Sequence, residues 1–307
     1  MNKLLVIANP ASGKGRAARA LSAFTTSLTS NGLAHHVMLT DGPGHAARLA
    51  QQMAQDFDAV AVVGGDGTLN EVASSIAGTG VPMAPVPGGT GNDFIKALST
   101  YPRTPQGVAL MLSRETSIRE LDMALANGRP FINVLGMGFD AMVAEHQAHA
   151  RMLPGLAAYL YGLARSMPSY RHWQVTISAD DQELRTRALI VTIGNGPVCG
   201  GGFKLTPDAV ADDGQLDITV LSDLPLSRLI WHFPKAFTGG IKRVMYYASC
   251  RARKIVLESD SPIPCHMDGE PLAPQRRFEI ELLPRALRVL EPATKGRALI
   301  EGGLARL

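Results

Sequence analysis

The stretch Val60-Ala-Val-Val-Gly-Gly-Asp-Gly-Thr-Leu-Asn-Glu-Val72 decides how this chain reads. Val60 to Val63 are four consecutive apolar residues and read as a strand buried on both faces. Gly64, Gly65 and Gly67 then permit a tight turn with no side chains in the way. Thr68 is a good helix N-cap, and Leu69, Val72 and Ile76 begin a helical apolar spacing. A strand, a glycine turn and a helix leave free N–H groups at the helix start, which suit a phosphate. Asp66 is the unusual residue of the turn. A carboxylate repels phosphate unless a cation lies between them, so Asp66 points to a nucleotide carried with Mg²⁺.

Two further stretches repeat the pattern. Asn9-Pro-Ala-Ser-Gly-Lys-Gly-Arg16 follows an apolar strand at Leu4–Ala8, and Pro85-Val-Pro-Gly-Gly-Thr-Gly-Asn-Asp-Phe94 follows one that begins at Val81. Helical patterns about Arg16–Ser30 and His45–Gln55 and a strand at His35–Thr40 complete an alternation of strand and helix up to about residue 125. That alternation predicts a doubly wound, mostly parallel sheet. In such a sheet the three turns share the edge at the carboxyl ends of the strands, where α/β folds bind ligands.

After Asp122 the pattern changes. Phe131–Leu135, Trp173–Ser178, Arg187–Gly194, Leu216–Leu221, Lys254–Glu258, Phe278–Leu283 and Leu287–Leu290 read as strands, most of them joined by short turns. Helical insertions about Ala144–Met167 and Leu226–Phe237 interrupt them. The expectation is an antiparallel β-sandwich domain over 126–293, behind an α/β domain over 1–125. The boundary is placed around Ala126-Asn-Gly-Arg129, and residues 294–307 are left free to return to the first domain.

Composition sets the outer limits. At 307 residues two domains are expected; 46% apolar and 19% charged residues describe an ordinary globular chain, and a net charge of +3 selects no partner. The basic residues form no concentrated stripe, so no nucleic-acid partner is expected. Three cysteines, Cys199, Cys250 and Cys265, cannot all pair and lack metal spacing, which suits a reducing cytoplasm. No run approaches the roughly 18 apolar residues that span a bilayer. The chain is not a P-loop protein, because Gly13-Lys14 is followed by Gly15 and Ala8 stands where the first glycine belongs. It has no G-x-G-x-x-G fingerprint in a strand–turn–helix setting, no G-x-S-x-G, no H-E-x-x-H and no C-x-x-C. The eight histidines are scattered, and His35-His36 and His266 beside Met267 read as surface or packed histidines rather than ligands. Lys14 and Arg16 are near enough to a turn to touch phosphate, although solvated charges are the commoner case.

These residues resemble a known family. Asn9-Pro-x-Ser-Gly, Gly64-Gly-Asp-Gly-Thr-Leu-Asn-Glu71 and Pro87-Gly-Gly-Thr-Gly-Asn-Asp-Phe94 look like the signatures of the diacylglycerol kinase/sphingosine kinase catalytic-domain family, and especially of its bacterial soluble lipid kinases. Asp213-Gly-x-Leu-Asp217 and Met267-Asp-Gly-Glu-Pro271 match motifs of the family's second domain, so the resemblance covers nearly the whole chain. It implies a Rossmann-like nucleotide-binding domain followed by a lipid-substrate domain.

Residue by residue, the resemblance assigns ATP to Asn9, Pro10, Ala11, Ser12, Gly13, Thr40, Gly64, Gly65, Asp66, Gly67, Thr68, Leu69, Asn70 and Thr90. It assigns Asp66, Asp93 and Asp122 to a carboxylate–water–Mg²⁺ network near the phosphates. Asp213 matches a ligand of a separate structural Mg²⁺, completed by the carbonyls of Val210 and Gln215; a plain hairpin turn is the other reading of Asp212-Asp213-Gly214. Asp268-Gly269-Glu270 matches the family's catalytic acidic turn. Phosphoryl transfer needs positioning, charge neutralisation and an acceptor for the hydroxyl proton. Glu270 and Asp268 both suit the last task, and the choice between them stays open.

The implied activity is ATP- and Mg²⁺-dependent transfer of the γ-phosphoryl group to a diacylglycerol-like lipid, within phospholipid biosynthesis. A sphingoid base, phosphatidylglycerol or NAD as acceptor, or a non-catalytic nucleotide-binding regulator, are the alternatives. Two apolar stretches, Met152–Leu163 and Leu229–Phe233 with Phe237, stand beside arginines and lysines, which suits peripheral contact with anionic lipid on the inner face of a membrane. Simple cover for the second domain's sheet is the competing reading of both. A homodimer through the second domain is left open.

Overall fold

The computed structural model describes residues 3–150, 153, 155–232 and 234–293. The expected return of 294–307 lies outside these residues, as do Arg151, Met152, Pro154 and Phe233 of the two apolar stretches. In chain order the elements are β1 (Leu4–Ala8), α1 (Ser12–Ser30), β2 (His35–Leu39), α2 (His45–Met53), β3 (Ala59–Gly64), α3 (Asp66–Ile76), β4 (Met83–Pro87), α4 (Asp93–Ala97), α5 (Pro105–Leu112), β5 (Thr116–Ala126), β6 (Arg129–Phe131) and β7 (Val134–Gly138). They continue with α6 (Phe139–His149), α7 (Gly155–Ser166), β8 (Trp173–Ala179), β9 (Gln182–Gly194), β10 (Leu216–Ser222), α8 (Leu226–His232), α9 (Lys235–Thr238), β11 (Tyr247–Ala252), β12 (Lys254–Met267) and β13 (Glu270–Pro292). The chain divides into two units, one up to Leu121 and again from Arg285, the other Asp122–Pro284. Among the described residues no helix is long and apolar enough to cross a membrane.

The first unit is built on a parallel sheet in the order β4-β3-β1-β2. Every residue of β1 and β3 is buried, because these inner strands are covered on both faces. β2, at the end of the order, has only half-buried and exposed residues. α1 packs with α5, and α2 with α3. The last part of β13 joins this unit, with Val289 opposite Met83 in parallel. Arg288 and Glu120 form an ion pair at 3.0 Å there.

The second unit is antiparallel. Ala188 of β9 pairs with both Trp173 of β8 and Ser222 of β10, so β8 and β10 lie on opposite edges of β9. β7 pairs with the later part of β9, where β10 again takes the other edge. β7 and β8 therefore fill, end to end, the same place between β9 and β12. One face of the strands buries Trp173, Val191, Ile193, Ile255, Leu257 and Phe278. Leu189 and Leu221 lie in a second apolar cluster with Phe139 and Val143 of α6, Leu163 of α7 and Leu229 of α8.

Several local expectations change. α3 begins at Asp66, with Gly65 in the cap position, so Thr68 is not the cap but a buried first-turn residue. Ala126-Asn-Gly-Arg129 is a hairpin between β5 and β6: Asn127 and Gly128 have φ 49° and 76°, the left-handed pair that a tight hairpin turn needs. The single helix expected over 144–167 is two, α6 and α7. The two strands expected at 278–283 and 287–290 are one, β13, which continues through a left-handed Arg285 (φ 50°).

Candidate functional site

In the first unit the three glycine turns leave the carboxyl ends of β1, β3 and β4 and interlock. A Cβ on Gly13 would stand 2.5 Å from the Gly88 carbonyl, and one on Gly89 would stand 2.6 Å from the Gly65 Cα. No residue but glycine lets these backbones approach so closely. Asn9 ties two turns together: its N–H donates to the Val63 carbonyl at 2.9 Å, and its Nδ2 donates to Thr68 Oγ1 at 3.2 Å. The Thr40 N–H donates to the Ala8 carbonyl, which brings the end of β2 to the same edge. The N–H groups of Asp66, Gly67 and Thr68 precede the first α3 bond, from Leu69 N–H to the Gly65 carbonyl, and so belong to the helix N-terminus, outside the intrahelical bonds.

Asp66 sits in that first turn, where the helix dipole favours negative charge. Its Oδ1 accepts the Phe94 N–H at 3.1 Å, joining the second and third turns. Its Oδ2 lies 2.9 Å from where a Cβ on Gly91 would be, and Asp93 Oδ2 lies 3.4 Å from the same point. The two carboxylates thus share one small space. Lys96 Nζ, 3.3 Å from Asp93 Oδ1, supplies a positive charge beside them. Of the expected nucleotide residues, Ala11 and Thr90 are exposed and Thr40 is half-buried at this edge, while Thr68 and Leu69 are buried and hold α3 to the sheet.

Asp122, the third expected carboxylate, belongs to the second unit. Its Oδ2 accepts the Gly214 N–H at 2.8 Å, and its carbonyl accepts from Asn195 Nδ2 at 2.8 Å. It therefore organises the 210–215 loop. In that loop Asp213 Oδ1 accepts the Gln215 N–H at 3.0 Å, and the Val210 carbonyl accepts the Asp213 N–H. The Arg251 guanidinium stands 3.6 Å from Asp213 Oδ2 and 3.3 Å from Asp217 Oδ1. A Mg²⁺ held by Asp213 with the Val210 and Gln215 carbonyls would have to share that carboxylate with arginine. Among the described residues no three or more His, Cys, Asp or Glu side chains come together as a metal cluster.

The acidic turn separates its two carboxylates by role. Asp268 Oδ2 accepts the Ile132 N–H at 2.9 Å, and Oδ1 accepts those of Asn133 and Val134 at 3.0 and 2.8 Å. Three consecutive N–H groups are turned onto one side chain. They cannot also point alternately into a ladder, which is why the strand expected over 131–135 breaks between β6 and β7. Glu270 is exposed, with Arg129 Nη2 3.1 Å from its Oε2. Of the two carboxylates in the turn, Glu270 is thus the exposed one and Asp268 the one bound by the backbone.

Reading the sequence missed Arg129, the three donors to Asp268, and a buried pair behind the turn. His266 Nε2 lies 3.4 Å from Asp140 Oδ2, at 6% and 13% side-chain exposure. A Cβ on Gly136 would fall 2.2 Å from the former and 2.4 Å from the latter. The available signal was a glycine inside an apolar strand, which often marks a close approach. The Asp140 charge also helps burial push the Cys265 thiol up to about 11.

Helix N–H groups opened by interlocking glycine turns beside paired carboxylates are the apparatus of a phosphotransferase. The comparisons specify which kind. The diacylglycerol kinase catalytic domain matches residues 3–126, and the YegS C-terminal NAD kinase beta sandwich-like domain matches residues 133–291. A diacylglycerol kinase of Mycobacterium tuberculosis (strain ATCC 25618 / H37Rv) is 29% identical over 95% of this chain and 96% of its own. A protein named "Probable lipid kinase YegS-like" from Pseudomonas aeruginosa (strain UCBPP-PA14) is 34% identical over 84% of each chain. A crystal structure of a diacylglycerol kinase from Bacillus anthracis str. Sterne matches with a TM-score of 0.70 at 25% identity, over 94% of this chain and 96% of that one. The chain belongs to the diacylglycerol kinase catalytic-domain family, with its YegS-type second domain, and is a lipid kinase.

Proposed function

We propose that the protein transfers the γ-phosphoryl group of ATP, with Mg²⁺, to the hydroxyl of a diacylglycerol-like lipid, giving a phosphatidate-like product. The observation that carries this reading is the interlocked set of turns around Asp66. Backbone N–H groups of α3 take the phosphates, the glycines let the nucleotide lie against the main chain, and Asn9 holds two of the turns in register. The shared space of Asp66 and Asp93 fits a divalent cation, since two carboxylates so close gain from charge between them. Mg²⁺, when bound with ATP, supplies charge neutralisation for the phosphates. Glu270 accepts the proton of the attacking hydroxyl, and Arg129 orients its carboxylate. Asp268 fixes the turn through the 132–134 backbone. The YegS-like relatives are named only as lipid kinases, with no acceptor stated, and a sphingoid base or phosphatidylglycerol fits the same machinery.

The test is transfer of label from γ-labelled ATP, with Mg²⁺ or with chelator, into a bacterial lipid extract, with purified diacylglycerol and NAD alongside. A labelled phosphatidate spot that requires Mg²⁺ and disappears in Asp66→Ala is expected. Label in another lipid would replace the acceptor and keep the class. Label only in NADP, or in no product while ATP still binds, would overturn the reading.

A further inference from the structure

The helical layer of the second unit leaves two large apolar side chains far out of its core. Trp231 of α8 is 75% exposed, and Met245, just beyond the 240–243 turn, is 87% exposed. An isolated exposed apolar residue needs no explanation. Here, however, both fall in one segment with an unusual charge pattern. Between Asp223 and Glu258 the chain has no acidic residue and seven lysines and arginines, in a protein whose net charge is only +3. Lys242 pairs with Asp208, Arg251 with Asp213 and Asp217, and Lys254 with Glu281. Arg228 and Arg243 remain exposed, with Lys235 half-buried, on the segment that carries Trp231 and Met245. Arg228 and Lys235 converge on His232, whose pKa is lowered by burial first and by these two cations next.

The segment is also firmly seated. Leu229, Ala236, Ile241 and Val244 are buried in the apolar cluster beneath it. The Phe237 ring stands 4.3 Å from that of Phe203, which stands 4.3 Å from that of Tyr159 on α7. The segment therefore spends one set of side chains on the fold and presents another outward. Aromatic and thioether groups flanked by basic residues match a surface with an apolar interior and anionic headgroups.

We propose that α8, α9 and the 240–245 turn dock on an anionic lipid bilayer. Trp231 and Met245 enter the headgroup region, and Arg228, Lys235 and Arg243 meet lipid phosphates. The proposal rests on the lipid-kinase reading for its purpose, naming the surface from which the acceptor is drawn.

The chain has two tryptophans, and the other, Trp173, is buried. Tryptophan emission therefore reports on Trp231 when vesicles are added. Vesicles of phosphatidylcholine with about 30% phosphatidylglycerol should shift the emission to the blue and bind at least roughly tenfold better than pure phosphatidylcholine, with the difference screened by salt. Brominated lipid should quench the same emission. The Trp231→Ala/Met245→Ala double variant should lose roughly tenfold or more of vesicle binding and of activity on acceptor presented in vesicles. It should keep its activity on short-chain diacylglycerol dispersed in detergent, which also shows that it folds. Equal binding to both vesicle types, or unchanged binding by the double variant, would overturn the proposal. So would an emission shift that depends on protein concentration without lipid, because a second copy would then cover Trp231. Vesicle binding without phosphorylation of any lipid in either format would leave the docking surface standing and remove the acceptor reading instead.

Discussion

Two of the protein's Asp-Gly steps, Asp66-Gly67 in the first unit and Asp268-Gly269 in the second, use the same dipeptide in opposite ways. Asp66 is helical, in the first turn of α3; one of its oxygens accepts the Phe94 N–H, and the other faces Gly91 beside Asp93. Asp268 is left-handed at φ 47° and takes three consecutive backbone N–H groups. The first carboxylate is poised toward other charge, whereas the second is committed to the backbone. A carboxylate's role here follows from how many main-chain donors the fold delivers to it, and the residues beside it in sequence do not reveal that number.

Substitutions can break this contrast. The largest effect is expected at Asp66: Asp66→Asn should lower turnover by roughly 10³-fold, the scale of losing a well-placed electrostatic group, while changing stability by about 1 kcal/mol or less. Steady-state kinetics and urea unfolding on one preparation check both halves. Glu270→Gln should lower turnover by roughly 10²-fold or more, with the Michaelis constant for ATP little changed. Asp268→Ala should show the reverse balance, losing about 3 kcal/mol of unfolding free energy because three N–H groups lose a charged acceptor. Were Asp268→Ala as stable as the parent but inactive, the two turns would be chemically alike and the contrast would fail.

Gly136→Ala sharpens the picture of what lies behind the acidic turn. Its methyl would meet His266 and Asp140 at well under contact distance, so a loss of about 2 kcal/mol is expected by thermal or urea unfolding. The smallest effect concerns Cys265. Burial, and after it Asp140, raise this thiol from 9.0 to about 11. The folded protein then keeps a proton that the unfolded chain releases, so stability falls as pH rises from about 9 toward 11. Melting temperatures over that range should decline less steeply in Cys265→Ala than in the parent.

Local chemistry made much of the first unit legible. Continuous apolar runs ending in glycine can be little else than buried parallel strands feeding tight turns, and β1, β3 and their turns stand where the residues indicate. The second unit was less legible because its strand limits depend on distant partners. The break at 132–133 exists because Asp268, more than 130 residues later, gathers three N–H groups. The buried His266–Asp140 pair depends on β7 and β12 becoming neighbours across the space that Gly136 leaves open. The asparagine–glycine step at 127–128 was read as a boundary, although its own preference is the tight hairpin it forms.

By itself, the sequence determined the two fold classes and the three glycine turns, because strand periodicity and glycine's backbone freedom are local properties. It also carried the family signatures, from Asn9 through Glu270. Only the tertiary structure decided that Asp268 is bound by the backbone while Glu270 stays exposed beside Arg129, that Asp122 organises the 210–215 loop, and that Trp231 and Met245 face outward. Each of these depends on which groups far apart in the chain come within hydrogen-bonding or burial distance, and residue order alone carries no measure of that distance.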